Sequence, residues 1–310
     1  MGAADDFIHS FFKLHPHLQS GQLSLDELNR LMAIHQNQIN NRPLADFDSV
    51  SPSQMDVLLN QPLSDRCILQ IREHVNNHFS QVPLLRLSDL LIGQIYHEGS
   101  LKLTTKGNLP VRVCELLYNQ HLISWKYMAY AKRILEEEIP YLWPLKHYLL
   151  SEGIVKKRGN TLSLTQKGEK FRIQSDSHRF ENLLLFFGST FHWGNFYDYP
   201  DEGRYGQLGW AFSLVLLARY ADQPRSSQFY SLKLMQAFEK QLWENHQAGI
   251  QNPAVADFHL VYDIRFVESF AHWFGLVNIE RKNDQGISFF DQLTITKTNL
   301  FDSIFVLTDK

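Results

Sequence analysis

The chain of 310 residues has only two cysteines, Cys67 and Cys114, with no paired spacing, which excludes a disulfide framework and a thiolate zinc site. No uninterrupted apolar run approaches the roughly 18 residues of a membrane span. The opening stretch MGAADDFIHSFFKLHPH lacks a basic start and a continuous apolar run, and Asp6 stands where a myristoylation signal carries Ser or Thr. A cytoplasmic protein in a reducing compartment, without a membrane partner, is expected. A glycine-rich phosphate loop, a nucleophile elbow and a Cys/His nucleophile signature are also missing, so the common enzyme classes have no positive support and no cofactor is expected. Positive charge is not in excess either. A formal net charge of −3 excludes a protein whose whole surface is adapted to nucleic acid, so any such contact must be a local patch.

What is abundant is apolar material, 44% of residues with 13% aromatic, enough to fill the cores of about two domains. The pattern is mainly helical. Phe7, Phe11, Leu14 and Leu18 share one helix face, and Ser24 with Glu27 has the spacing of a capping box. Pro52 belongs in the first turn of a short helix, and Leu84, Leu87, Leu91 and Ile95 mark a longer one ending near Gly99. Between 110 and 172, three helical segments (through Val113 to Leu117, Met128 to Ile139, and Leu142 to Leu149) precede IVKKRGNTLSLT, in which two β-prone runs flank the turn pair Gly159-Asn160.

Three helices and then a hairpin is the order of a winged helix-turn-helix module, and LLSEGIVKKRGNTLSLTQKG resembles the recognition-helix-plus-wing stretch of winged-helix proteins. The wider pattern from about 45 to 250, with SPSQM, KLTTKGNLP and the winged segment, is similar to a group of uncharacterised bacterial proteins, which implies a bacterial origin and a mostly helical fold. The motif LSLTQKG at 162–168 has two looser copies, LKLTTKG at 101–107 and LTITKTN at 293–299, each with Thr at the fourth position. The expected architecture is a mainly α, multi-helical protein with winged-helix modules, each three helices plus a β-hairpin. Its regions are a helical N-terminal region (1–109), a winged-helix module (110–175), a helical middle region (176–252) and a divergent winged-helix-like module (253–310).

Six basic residues, Lys156, Lys157, Arg158, Lys167, Lys170 and Arg172, face one acid, Glu169, between 156 and 172. That local charge at a hairpin tip suits phosphate contact. With Lys146 from the third helix, Lys156, Lys157, Arg158, Lys167 and Lys170 form the expected nucleic-acid-binding set of a non-enzymatic protein. The exposed side of that helix is expected to carry Tyr141, Trp143, Lys146, His147, Tyr148 and Glu152, with no Arg, Asn or Gln to read base edges, so contact directed at the DNA backbone is favoured. The C-terminal copy has four basic and five acidic residues between 278 and 310, which suits packing, dimerisation or a protein partner better. A protein-binding adaptor is the alternative reading. A second alternative is an enzyme or metal site in the loop carrying His192, Asp198, Asp201 and Glu202, where carboxylates near a histidine could bind a divalent ion. His74 and His78 lie one turn apart, but Val75 stands where the zincin pattern needs Glu, so no metal is expected there.

Overall fold

The computed structural model describes residues 3–16, 24–72, 78–124, 133–196, 204–239, 242, 255–282 and 292–308. The chain is mainly helical and divides into two compact units, 1–57 and 58–310. Among the described residues no helix is long and apolar enough to cross a membrane.

In the first unit, α1 (Ala3–Leu14) and α2 (Leu25–Asn40) meet through Phe7 and Phe11, which pack on the buried His35 ring, while Ser10 Oγ lies 2.9 Å from His35 Nε2. The expected capping box starts α2, with the Glu27 amide donating to Ser24 Oγ at 3.3 Å. A second box starts α3 (Pro52–Asn60): the Gln54 amide donates to Ser51 Oγ, and the Gln54 side chain accepts from the Ser51 amide.

The second unit is built on one plan used twice. In its first half α4 (Pro83–Glu98) buries Leu84, Leu87, Leu91 and Ile95 and stops at Gly99, whose φ of +70° needs no side chain. It is followed by β2 (Leu101–Lys102), α5 (Val111–Tyr118), α6 (Leu142–Ser151), β3 (Val155–Arg158) and β4 (Thr161–Leu164), and the sheet order is β2-β4-β3. α7 (Gln166–Arg172) and α8 (Asp176–Leu185) lead through a π-helical turn, Phe186–Thr190, to a kinked segment α9 (Arg204–Gln207), in which Tyr205 and Gly206 leave helical geometry. The second half then repeats the order. α10 (Trp210–Tyr220), β5 (Arg225–Ser226), α11 (Ser227–Ala237) and α12 (Val255–Tyr262), which continues as a π-helix over Asp263–Ala271, precede β6 (Val277–Lys282) and β7 (Gln292–Lys297) in the sheet order β5-β7-β6. α13 (Asn299–Ile304) and β8 (Phe305–Leu307) end it, and β8 pairs antiparallel with β1 (Leu69–Ile71), so the two ends of the unit are joined.

The same hydrogen bonds close both halves. Leaving the third helix, Gly153 and Gly275 take φ of +64° and +70°, and the next amides reach back to Leu149 O and Ala271 O, each at 2.9 Å. After the hairpin, Thr165 and Thr298 cap the following helix, accepting from the amides of Gly168 and Phe301. Each threonine hydroxyl also donates backwards, Thr165 to Gly153 O at 2.6 Å and Thr298 to Gly275 O at 2.7 Å.

These caps correct the motif alignment. LSLTQKG and LTITKTN correspond with a shift of two residues, because Thr165 matches Thr298 rather than Thr296. LKLTTKG is not a hairpin of its own: Leu101 and Lys102 pair with Leu162 and Thr161, so it supplies the third strand of the first sheet, across the expected boundary at 110. Of the second helical segment expected before the hairpin, Met128 to Ile139, residues 128–132 lie outside the described residues, and 133–139 are not the expected α-helix: Leu135 and Ile139 are extended and flank a single 3-10 turn, Glu136–Glu138.

Both third helices are interior. Tyr141, at the start of α6, meets Trp273 edge-on at 6.2 Å, Tyr148 packs on Phe186 at 5.1 Å, and Phe187 bridges to Trp273 and Phe274. Ring burial on this scale stabilises by about 1.5–3 kcal/mol per side chain, so this wall between the halves does not part cheaply. Tyr141, Lys146 and Tyr148 are accordingly buried, not exposed; of that expected set Trp143 is exposed, at 41%, and His147 and Glu152 are half-buried.

Candidate functional site

The first three-stranded sheet sorts its side chains by alternation. Partners directly opposite in an antiparallel pair share a face, and successive residues on one strand alternate. Lys102 pairs with Thr161 and Thr161 with Arg158, so these three stand in one row across the sheet, and Lys156 with Ser163 forms the next row on the same face. Leu101, Leu162 and Lys157 form the opposite row, with Val155 and Leu164 beside it. The buried Leu101, Leu162 and Val155 mark that second face as the inner one.

The outer face therefore carries three cations and two hydroxyls, and no carboxylate in these rows. Lys102, Lys156 and Arg158 are exposed, and none of them makes an ion pair among the described residues. Lys102 is 54 residues from Lys156 in the chain, and nothing local in the sequence announces the pairing that brings it here. Its one trace was the recurrence of the alternating motif at 101–107.

The remaining expected residues scatter. Lys157 belongs to the inner rows, and its Nζ would lie 2.9 Å from a Cβ at Gly107, so its stem folds over the turn after β2. Lys170 is exposed on α7 without an ion pair among the described residues, and Lys167 lies 3.4 Å from Glu152 in an open pair that leaves its charge available. Arg172 is stacked over the Tyr96 ring at 3.9 Å. Lys146 is corrected: it is 7% exposed, paired with the Glu136 carboxylate and donating to Gly107 O at 3.0 Å, so its charge is neutralised inside the fold. The second oxygen of Glu136 accepts from the Leu109 amide at 2.6 Å, which makes this ion pair the brace that holds the 107–109 turn against α6.

His192 is exposed beside a cleft of about 390 Å³ lined by Ser189, Thr190, Gln207 and Trp210. The carboxamide of Gln207 is committed to backbone, donating to Phe191 O at 2.7 Å and accepting from the Trp193 amide at 3.1 Å. Asp198, Asp201 and Glu202 lie outside the described residues, as does His74, and among the described residues no cluster of His, Cys, Asp or Glu could hold a metal ion.

The second sheet offers the same places to different residues. Matching the two capping threonines, and then each strand pair, puts Ser226 where Lys102 stands, Asn278 where Lys156 stands and Glu280 where Arg158 stands. Thr294 and Thr296 keep the hydroxyls of Thr161 and Ser163. The charge of the three variable places falls from +3 to −1. No family model, no curated protein and no solved structure matches this chain.

Proposed function

We propose that the two halves of the second unit are winged-helix-like modules and that the chain is a non-enzymatic, cytoplasmic nucleic-acid-binding protein, using the wing of the first module on the phosphate backbone, DNA first. The order of first helix, strand, second helix, third helix and hairpin supports the modular reading in both halves. One observation carries the function: Lys156, Arg158 and Lys170 are exposed around the hairpin with no carboxylate partner among the described residues, in a chain whose total charge is negative. Because α6 is buried, base edges have no reader, and binding is without sequence preference.

A gel-shift titration with a DNA duplex across salt concentrations tests this. Binding at low salt that weakens steeply with added salt, and that is lost in the triple variant Lys156→Ala, Lys157→Ala, Arg158→Ala, is the expected result. An unaffected triple variant, or no binding at low salt, removes the reading. The exposed Trp143, stacked on His147 at 5.1 Å, favours the adaptor alternative, in which a protein partner covers α6's one open edge. In that case Trp143→Ala abolishes the protein's biological role while the wing variant keeps it.

A further inference from the structure

We infer that the outer face of the first sheet grips the backbone of duplex nucleic acid, with Lys102 as a phosphate ligand beside Arg158 and Lys156, and with Lys157 outside the contact. This rests on the nucleic-acid reading above and sharpens it, because charge along the chain and charge on a face make different selections. Along the chain, Lys156, Lys157 and Arg158 are equivalent and Lys102 is irrelevant. On the sheet, Lys102 and Arg158 flank Thr161 in one row, whereas Lys157 lies on the other side, in the row of Leu162 and Leu101.

Three features of the face choose the ligand. Its cations are spread over two strand spacings, about 10 Å, so they reach different phosphates rather than crowding one small anion. Between them stand the hydroxyls of Thr161 and Ser163, which donate to phosphate oxygens. These rows carry no aromatic ring, and a surface for single strands needs rings on which unstacked bases can lie. A duplex, which presents its phosphates outward and keeps its bases stacked, is what such a face can hold.

The test compares single alanine variants by the slope of log affinity against log salt, on a duplex and on a single strand of equal length. For wild type, tighter binding to the duplex is expected. Lys102→Ala and Arg158→Ala each lower the slope by about 0.9, the value of one released counterion, whereas Lys157→Ala changes it by less than half as much. All three side chains are exposed, and unchanged melting temperatures establish that each variant is folded. A wild-type slope in Lys102→Ala, an equal loss in Lys157→Ala, or a preference for the single strand overturns the inference. If the triple wing variant still loses binding in that case, the broader nucleic-acid reading stands. If wild type binds neither strand form, both fall.

Discussion

The two sheets of the second unit share strand order, register, a glycine exit from the third helix and a threonine clasp, yet differ at three outward positions: Lys102, Lys156 and Arg158 against Ser226, Asn278 and Glu280. What is common to both builds the module, and what differs is free of that duty. The charge on the first sheet is thus not a by-product of making the fold, since the second sheet makes the same fold without it. The second copy serves as an internal control for every claim about the first.

The largest expected contrast concerns the ion pairs at the third helices. In the first half Lys146 and Glu136 are 8% and 1% exposed at their side chains, and Glu136→Ala leaves an ammonium buried alone, at a cost of about 3–5 kcal/mol in urea unfolding. In the second half Glu268 pairs with Arg281, whose side chain is 26% exposed and so can be hydrated when left alone, and Glu268→Ala costs clearly less. Equal costs would break the contrast.

Charge can also be transplanted. Placing Ser226→Lys, Asn278→Lys and Glu280→Arg together on the second sheet is expected to steepen the salt dependence of duplex binding by roughly 2.7, three contacts at 0.9 each. No change would show that something beyond the face's charge confers binding. The clasps should behave alike: Thr165→Ala and Thr298→Ala each remove a helix cap and cost about 1–2 kcal/mol by thermal or urea unfolding. A Thr298 variant without effect would argue against equivalence of the halves.

The smallest effect is one of pH. Asp89, on α4, has its carboxyl raised to about 6 because burial disfavours its charge more than the neighbouring Arg179 guanidinium favours it. Between about pH 4 and 6 the folded state keeps this proton and the unfolded state does not, so its contribution to stability is complete in acid and lost as pH rises through 6. Asp89→Asn should flatten that part of the stability profile. The matching helix α10 is buried and uncharged over Trp210–Leu217, so no group there adds to the slope.

Much of the fold was legible in the sequence. The periodicity of Leu84, Leu87, Leu91 and Ile95, the caps at Ser24 and Pro52, and the turn at Gly159-Asn160 are local signals, and each element formed where it was expected. Half of the candidate site was legible too, because Lys156 to Arg158 are contiguous. Lys102 was not, since strand pairing across some 60 residues leaves no local mark. Lys146 was misread for a related reason: in a helix walled in by rings from the π-helical turn after α8 and from the second half, the periodic pattern cannot say which polar residue has a buried partner. The two-residue offset between the motif copies likewise became visible only through the capping bonds.

One feature reaches further than the site. The threonine clasp ties Thr165 to a glycine 12 residues back and Thr298 to one 23 residues back, with almost the same bond length. The base of each finger is therefore indifferent to how much chain runs out beyond it. A reporter peptide spliced between Gly159 and Asn160 should leave the module beneath undisturbed, which makes the fingertip the natural place for length to vary and for a label to be carried.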